Sequence, residues 1–206
     1  MAQILQGALA AITLSSTALI MAACSPANNS ASVAQSGTVI ASGTASIGGP
    51  FTLTDTSGKI FTQDNLKGKP SLIYFGFSYC PDVCPTALQK MGALQAQMGK
   101  DGEKLRYIFI SVDTERDTPE TLAPYVTSRG FPKPLVGLSG TQEQMDQAVA
   151  AYRVYAQKVK DDSSAAEFTY DHSDLIIVTD GQGEFANIFT RDASLTQMAE
   201  SLKALL

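Results

Sequence analysis

The chain has 206 residues, of which 15 are Lys or Arg and 20 are Asp or Glu, so its formal net charge is −5. A nucleic-acid-binding protein normally presents a basic face, and this composition argues against that class. Hydrophobic residues make up 44% and charged residues 17% of the chain. Disordered proteins contain fewer hydrophobic and more charged residues, so this composition favours one folded domain.

The N-terminal part of the chain is uncharged up to Asp55. Residues 7–23 are largely apolar and end in small residues directly before Cys24, a pattern typical of a bacterial lipoprotein signal. We expect residues 1–23 to be removed and Cys24 to be acylated, which would hold the chain on the outside of a membrane. The start of the chain lacks the Lys or Arg that such signals normally carry, so an uncleaved membrane helix is the alternative.

The segment that follows is predicted to be a flexible membrane tether. Residues 24–46 are rich in Ser, Ala, Asn and Gly and carry no charge, and such a composition cannot bury enough apolar surface to fold. The folded domain is therefore predicted to cover residues 47–206. Both the lipoprotein and the membrane-helix interpretation place this domain at the cell membrane, facing the periplasm or the outside of the cell.

The domain begins with a predicted hairpin, because residues 51–62 alternate apolar and polar side chains around a polar turn. Two continuously apolar runs, at 71–77 and 106–112, predict strands that are buried on both faces. Apolar residues at helical spacing between them predict a helix over residues 86–98. Strand, helix and strand in this order predict a parallel crossover at the centre of the sheet.

The later elements complete an α/β pattern. Thr118 before a proline and the capping box that starts at Thr141 predict two helices. Residues 175–189 predict a second hairpin, and Ser194 opens a closing helix. This order of elements is that of a thioredoxin-like α/β sandwich with a central mixed sheet and an N-terminal hairpin, although other small α/β folds share it.

Cys80 and Cys84 lie between the first apolar strand and the first helix, at a strand end of the kind where α/β sheets bind ligands. Pro85 has no N–H to donate, which places it in the first helical turn and both sulfurs at or just before the helix N-terminus. The partial positive charge there favours thiolates. Four residues apart in a helical turn, the two Cβ atoms are about 5–6 Å apart, close enough to share one ion or to close a disulfide.

The cysteine spacing leaves three interpretations open. A pair separated by two residues is the commoner redox arrangement, and the third intervening residue here widens the loop, which suits an inserted metal. A thiol-disulfide oxidoreductase would use one thiol to attack and the other to resolve a mixed disulfide. A structural disulfide suits an oxidising compartment, but so small a loop constrains the unfolded chain little.

His172 is the single histidine of the chain and lies in a polar segment directly before an apolar strand, from which it is expected to reach the same end of the sheet. Two thiolates and one imidazole form a three-coordinate soft site, which suits Cu(I), whereas Zn normally takes a fourth ligand. The residues therefore favour copper over zinc at Cys80, Cys84 and His172.

Other side chains near these motifs have ordinary structural interpretations. Met91 and Met98 are expected to pack in the core rather than to bind metal. The acidic stretch at residues 113–117 predicts a solvated turn at a helix entry. Three carboxylates suit caps or turns and are also candidates to orient the imidazole: Asp113, Asp171 and Asp174.

Four segments of the domain, taken together, resemble the Sco/SenC family of copper-binding assembly proteins. They are residues 76–85, which hold both cysteines, and residues 111–119, 137–141 and 170–173. The resemblance covers essentially the whole domain. Thr114 stands where this family usually has a proline, which affects loop stiffness and no ligand.

The resemblance implies a thioredoxin-like fold in which Cys80, Cys84 and His172 bind copper, as Cu(I) or Cu(II). It also implies a metallochaperone that delivers copper to the binuclear copper A site on the copper-binding subunit of cytochrome c oxidase. Membrane anchoring in the family agrees with the predicted tether. The open alternatives are a thiol-disulfide oxidoreductase that keeps the oxidase cysteines reduced, with Cys80 and Cys84 as its catalytic residues, and a copper or redox sensor.

Overall fold

The computed structural model describes residues 38–39, 46–161 and 167–206. The predicted signal, Cys24 and most of the predicted tether lie outside the described residues, so the lipid anchor and the domain boundary stay predictions. No helix in the described ranges is both long and apolar enough to cross a bilayer.

The described part of the chain contains both strands and helices. In order they are β1 (Thr38–Val39), β2 (Thr52–Asp55), β3 (Ile60–Thr62), β4 (Ser71–Gly76), α1 (Val83–Met98), α2 (Lys100–Glu103), β5 (Arg106–Ser111), α3 (Pro119–Val126), β6 (Leu135–Ser139), α4 (Gln142–Tyr152), β7 (Ala156–Lys160), β8 (Phe168–His172), β9 (Leu175–Thr179), β10 (Phe185–Thr190) and α5 (Leu195–Lys203). A 3₁₀ turn, Gln63–Leu66, follows β3.

An eight-stranded mixed sheet forms the centre of the described part, in the order β1-β10-β9-β4-β5-β6-β2-β3. Strands β4, β5 and β6 run parallel, and the pairings on either side of them are antiparallel. The parallel crossover through α1 and both predicted hairpins are therefore confirmed. The mixed sheet confirms the predicted α/β class.

Burial explains why the central elements form where the apolar runs predict them. All six residues of β4 are buried, as are five of the six in β5, since sheet neighbours flank both strands. Met91 and Met98 are buried in the core, as expected. The side chains of Thr118, Thr141 and Ser194 each accept a backbone N–H at the start of a helix, which confirms the three predicted caps.

The structure differs from the sequence prediction in two places that bear on the site. Helix α1 begins at Val83, before the predicted start at residue 86, so Cys84 lies on the helix itself. Strands β7 and β8, which the sequence analysis did not predict, pair as a separate two-stranded sheet with Ala156 opposite His172. We call this pair of strands the histidine hairpin, because β8 ends at His172.

Candidate metal centre

The cysteine loop, residues 77–82, connects the buried strand β4 to helix α1 and carries Cys80. Cys84 follows in the first turn of the helix, and its side chain is fully buried. Gly76 is the last residue of β4 and lies next to the Cys84 side chain. A Cβ added to Gly76 would lie 2.8 Å from Cys84 Sγ. The glycine therefore makes the space in which the second sulfur sits.

The two thiols differ in their electrostatics. A hydrogen bond from the Cys84 thiol lowers the pKa of Cys80 to about 4, with His172 and the backbone N–H groups of Cys84 and Asp82 acting in the same direction, while burial opposes the shift. The same hydrogen bond and burial raise the pKa of Cys84. The lowered pKa favours the thiolate form of Cys80, and the raised pKa favours the protonated form of Cys84.

His172 faces the sulfurs with its Nε2 nitrogen. Its Nε2 lies 3.3 Å from Cys84 Sγ, and its Nδ1 lies 3.1 Å from the carbonyl oxygen of Ser173. A carbonyl only accepts, so Nδ1 donates to it, and Nε2 is the ring nitrogen that faces the sulfurs. The backbone carbonyl thus orients the ring, and Asp113, Asp171 and Asp174 do not take the role for which they were candidates.

The three predicted ligands lie close together, although they come from a loop, a helix and a hairpin. Cys80 Sγ, Cys84 Sγ and one ring nitrogen of His172 all lie within 4.8 Å of one another, and both cysteines are free thiols. This group of soft donors suits a single soft cation such as Cu(I). That these side chains hold a metal stays a prediction.

Aromatic side chains enclose the imidazole. The rings of Phe77 and Tyr74 stand edge-on to His172, with centroids at 5.8 Å and 6.0 Å. The Tyr74 hydroxyl donates to Asp174 Oδ1 at 2.9 Å, and Arg191 Nε donates to the other oxygen of the same carboxylate at 2.7 Å. Asp174 therefore acts on the site through Tyr74, by fixing a ring that packs on the imidazole.

The acidic stretch after β5 is not the solvated turn that the sequence predicted. Asp113 and Asp117 are both buried. Asp117 accepts the backbone N–H of Ser78 at 2.8 Å and the hydroxyl groups of Ser78 and Ser111. A carboxylate with three donors is stable when buried, and here it ties the cysteine loop to the end of β5.

One side of the centre opens into a shallow cleft of about 540 Å³. Cys80 and His172 line this cleft, whereas Cys84 lies behind them. The exposed side chain of Tyr155 also lines this cleft. Cys80, at 8% exposure, and His172 are therefore closer to solvent than Cys84, which is fully buried.

Comparisons with known proteins agree with this geometry. The SCO1/SenC family model matches residues 40–206. SenC of Rhodobacter capsulatus is 40% identical over 165 residues, covering 80% of this chain and 73% of that protein. The mitochondrial protein SCO2 of Saccharomyces cerevisiae is 37% identical over 167 residues, covering 79% of this chain and 55% of the yeast protein, so this chain spans about half the length of that relative.

The fold is also that of a solved structure. Bradyrhizobium japonicum ScoI with copper bound is 45% identical and matches with a TM-score of 0.70, covering 78% of this chain and 99% of that one. A match to the family model over residues 40–206 and relatives at this identity show the family. The chain belongs to the SCO1/SenC family.

Proposed function

We propose that this protein binds copper through Cys80, Cys84 and His172 and passes it to a partner protein. The convergence of two sulfurs and one imidazole nitrogen within 4.8 Å, from three separate elements, carries this proposal. Copper bound to ScoI of Bradyrhizobium japonicum supports the choice of metal. Two soft thiolates and one imidazole also suit Cu(I) better than Zn, which normally takes four ligands.

The ligands are prepared for binding to different degrees. Cys80 favours the thiolate form, since its pKa is lowered to about 4, and His172 directs Nε2 toward the sulfurs. Cys84 keeps its proton and must lose it when copper binds, because its pKa is raised. We infer that Cys80 and His172 capture the ion and that Cys84 completes the site.

Release follows from the same arrangement. The cleft reaches Cys80 and His172, so a ligand of the partner first replaces one of these two on copper. Cys84 is fully buried and is the last ligand to dissociate from copper. Stepwise exchange of this kind moves the ion without exposing it to solvent.

We propose the copper-binding subunit of cytochrome c oxidase, and its binuclear copper A site, as the recipient. Membership of the SCO1/SenC family supports this assignment. A recipient at the membrane agrees with the predicted anchor: a signal at residues 1–23, acylated Cys24 and a tether to residue 46, which together leave the domain at 47–206 outside the cytosol.

An anaerobic Cu(I) titration of the reduced protein tests the site. We expect one copper per chain, and we expect His172→Ala to weaken binding by about 10-fold or more, since one of three ligands is lost. Met98→Leu is the matched control, because it removes a buried sulfur outside the proposed site. Binding that survives His172→Ala unchanged would remove the imidazole from the site.

A second function, thiol-disulfide exchange on the oxidase cysteines, is favoured by the unequal thiol pKa values. The Cys80 thiolate would attack a substrate disulfide, forming a mixed disulfide and releasing one substrate thiolate. Cys84 would then attack Cys80 Sγ, giving up its proton and releasing the second substrate thiol. The products are a reduced substrate and a Cys80–Cys84 disulfide, which an external dithiol must reduce again.

Reduction of a disulfide by the metal-free protein separates the two functions. A reductase turns over without copper, and Cys84→Ser accumulates the mixed disulfide on Cys80 because the resolving thiol is missing. His172→Ala is the informative control, since the imidazole is a ligand for copper and has no covalent role in exchange. An inactive metal-free protein that still binds one copper supports the chaperone alone.

A further inference from the structure

Arg116 joins the two parts of the molecule that carry the ligands. Its Nε pairs with the buried carboxylate of Asp113, which fixes the guanidinium beside β5. Its Nη1 donates to the carbonyl oxygen of Phe168 at 3.3 Å. The guanidinium carbon lies 3.9 Å from the centre of the Phe168 ring and 4.7 Å from the centre of the Tyr79 ring.

These two rings belong to the two segments that carry the predicted ligands. Tyr79 lies in the cysteine loop directly before Cys80, and Phe168 is the first residue of β8, which ends at His172. Arg116 therefore contacts the sulfur-bearing segment and the imidazole-bearing strand at once, from a position anchored on neither.

A row of ring contacts continues from Phe168 to the imidazole. Phe168 packs on Tyr170, Tyr170 on Phe77, and Phe77 edge-on against His172, with centroid distances between 5.6 Å and 6.0 Å. A shift of Phe168 is transmitted along this row to the ring that faces the sulfurs, because packed rings have little free space.

The contacts need a guanidinium in particular. Its plane stacks on aromatic faces while its edge pairs with a carboxylate and a carbonyl, and the single ammonium of lysine cannot do both. Arg116 Nη2 is buried without a hydrogen-bond partner among the described residues, a cost that stacking on two rings offsets.

We propose that Arg116 is a positioning residue for copper binding, and that it holds the histidine hairpin at the distance from the cysteine loop at which His172 Nε2 reaches the two sulfurs. This role rests on the three-ligand site proposed above. It assigns to Arg116 no contact with the metal and no proton to transfer.

A double-mutant cycle in Cu(I) affinity tests the role. We measure binding by competition with a chelator for the wild type, His172→Ala, Arg116→Lys and the double variant. If Arg116 positions the imidazole, Arg116→Lys lowers affinity about 10-fold, and His172→Ala then costs less than about 3-fold in that background. An unchanged cost of His172→Ala in the Arg116→Lys protein would overturn the proposal.

The choice of variants separates positioning from folding. Arg116→Lys keeps a cation opposite the buried Asp113, so it avoids an unpaired buried charge. Lys158→Met is the matched control: it removes a second cation, 3.7 Å from the centre of the Phe168 ring, whose carboxylate partner is the exposed Glu115. We expect this control to leave both affinity and the cost of His172→Ala at wild-type values, and a loss equal to that of Arg116→Lys would overturn the proposal.

Hydrogen exchange in the metal-free protein provides a readout that needs no copper. Arg116→Lys is expected to speed exchange of the backbone amides in β7 and β8 by about 10-fold while the amides of β4 and β5 keep their protection. Unchanged exchange in the hairpin would overturn the positioning role and leave the copper proposal intact. If His172→Ala leaves the Cu(I) affinity of the otherwise wild-type protein unchanged, the three-ligand proposal is wrong, independently of the hydrogen exchange in the hairpin.

Discussion

The cysteine loop and the histidine hairpin supply ligands to the same centre, but they are supported in different ways. The loop leaves a strand buried at every position and enters a helix whose inner face lies in the core. The hairpin is a separate two-stranded sheet in which no residue of either strand is fully buried. The sulfurs are thus placed by the core, whereas the imidazole is placed by side-chain contacts to its neighbours.

This difference fits a site that must both hold and release an ion. Segments with little buried apolar surface open at lower cost than the core, so the imidazole is the ligand that can withdraw most easily. Cys84, which is fully buried, stays in place and keeps the ion during exchange. The comparison therefore predicts that substitutions of the cysteines weaken copper binding most. Substitutions in the hairpin are expected to act mainly on whether His172 can serve as the third ligand.

The largest effect is expected from Cys84→Ser. We expect the variant to bind Cu(I) on the order of 100-fold more weakly, because it loses a soft ligand that no neighbour replaces. The loss should exceed that of His172→Ala, since the sulfurs form the permanent part of the site. Chelator competition under anaerobic conditions measures the Cu(I) affinity of both variants. Equal losses of affinity would contradict the distinction between the cysteine loop and the histidine hairpin.

Asp117→Ala tests whether the cysteine loop depends on its buried anchor. Removing the carboxylate leaves the Ser78 N–H and two hydroxyl groups without their acceptor. We expect the free energy of unfolding to fall by about 2–3 kcal/mol, as measured by chemical denaturation of the metal-free protein. Asp171→Ala, at an exposed carboxylate on the hairpin, is the control and should change it by less than about 0.5 kcal/mol. A similar change in the two variants would contradict the comparison.

The pH dependence of copper binding sharpens the contrast between the two sulfurs. Because the pKa of Cys80 is lowered from 9.0 to about 4, this thiol has no proton to lose at neutral pH, whereas Cys84, with its raised pKa, has one. Between about pH 7.5 and 9 we expect affinity to rise about tenfold, or about 1.4 kcal/mol, per pH unit, since copper displaces one proton.

Proton release on adding Cu(I) in weak buffer checks this number directly. Release of one proton per copper agrees with an ionised Cys80. Two protons per copper would mean that both thiols are protonated before binding, and the unequal pair would then be wrong. Below about pH 4 the slope should steepen, because Cys80 also takes up a proton there.

The sequence predicts the cysteine loop better than the histidine hairpin for a physical reason. Apolar runs, Pro85 and helix caps are local signals, and they place both sulfurs correctly near the start of α1. Strands β7 and β8 give a weaker signal, because each has only five residues and neither contains a continuous apolar run. Strand β8 also contacts distant residues such as Arg116, which a local pattern cannot show.

The burial of Asp117 was missed for a related reason. A carboxylate in a sequence of charged residues indicates a solvated turn, and its burial becomes favourable only when Ser78 and Ser111 bring their donors to it in the fold. Its place in the loop that follows the buried strand β5 is the available signal, since the ends of central strands are where α/β folds place functional groups.

The smallest effect is expected from Ser173→Ala, next to His172. The Ser173 hydroxyl accepts the backbone N–H of Tyr155 at 3.0 Å, and its own N–H donates to the Tyr155 carbonyl at 2.9 Å. The variant loses the first bond and keeps the second, so we expect a cost of about 0.5–1 kcal/mol that is confined to the hairpin. Hydrogen exchange at the Tyr155 amide should speed up, and Cu(I) affinity should fall by no more than about 3-fold, because the Ser173 carbonyl that orients the imidazole is retained. A loss as large as that of His172→Ala would mean that the hairpin, and not the buried core, sets the strength of the site.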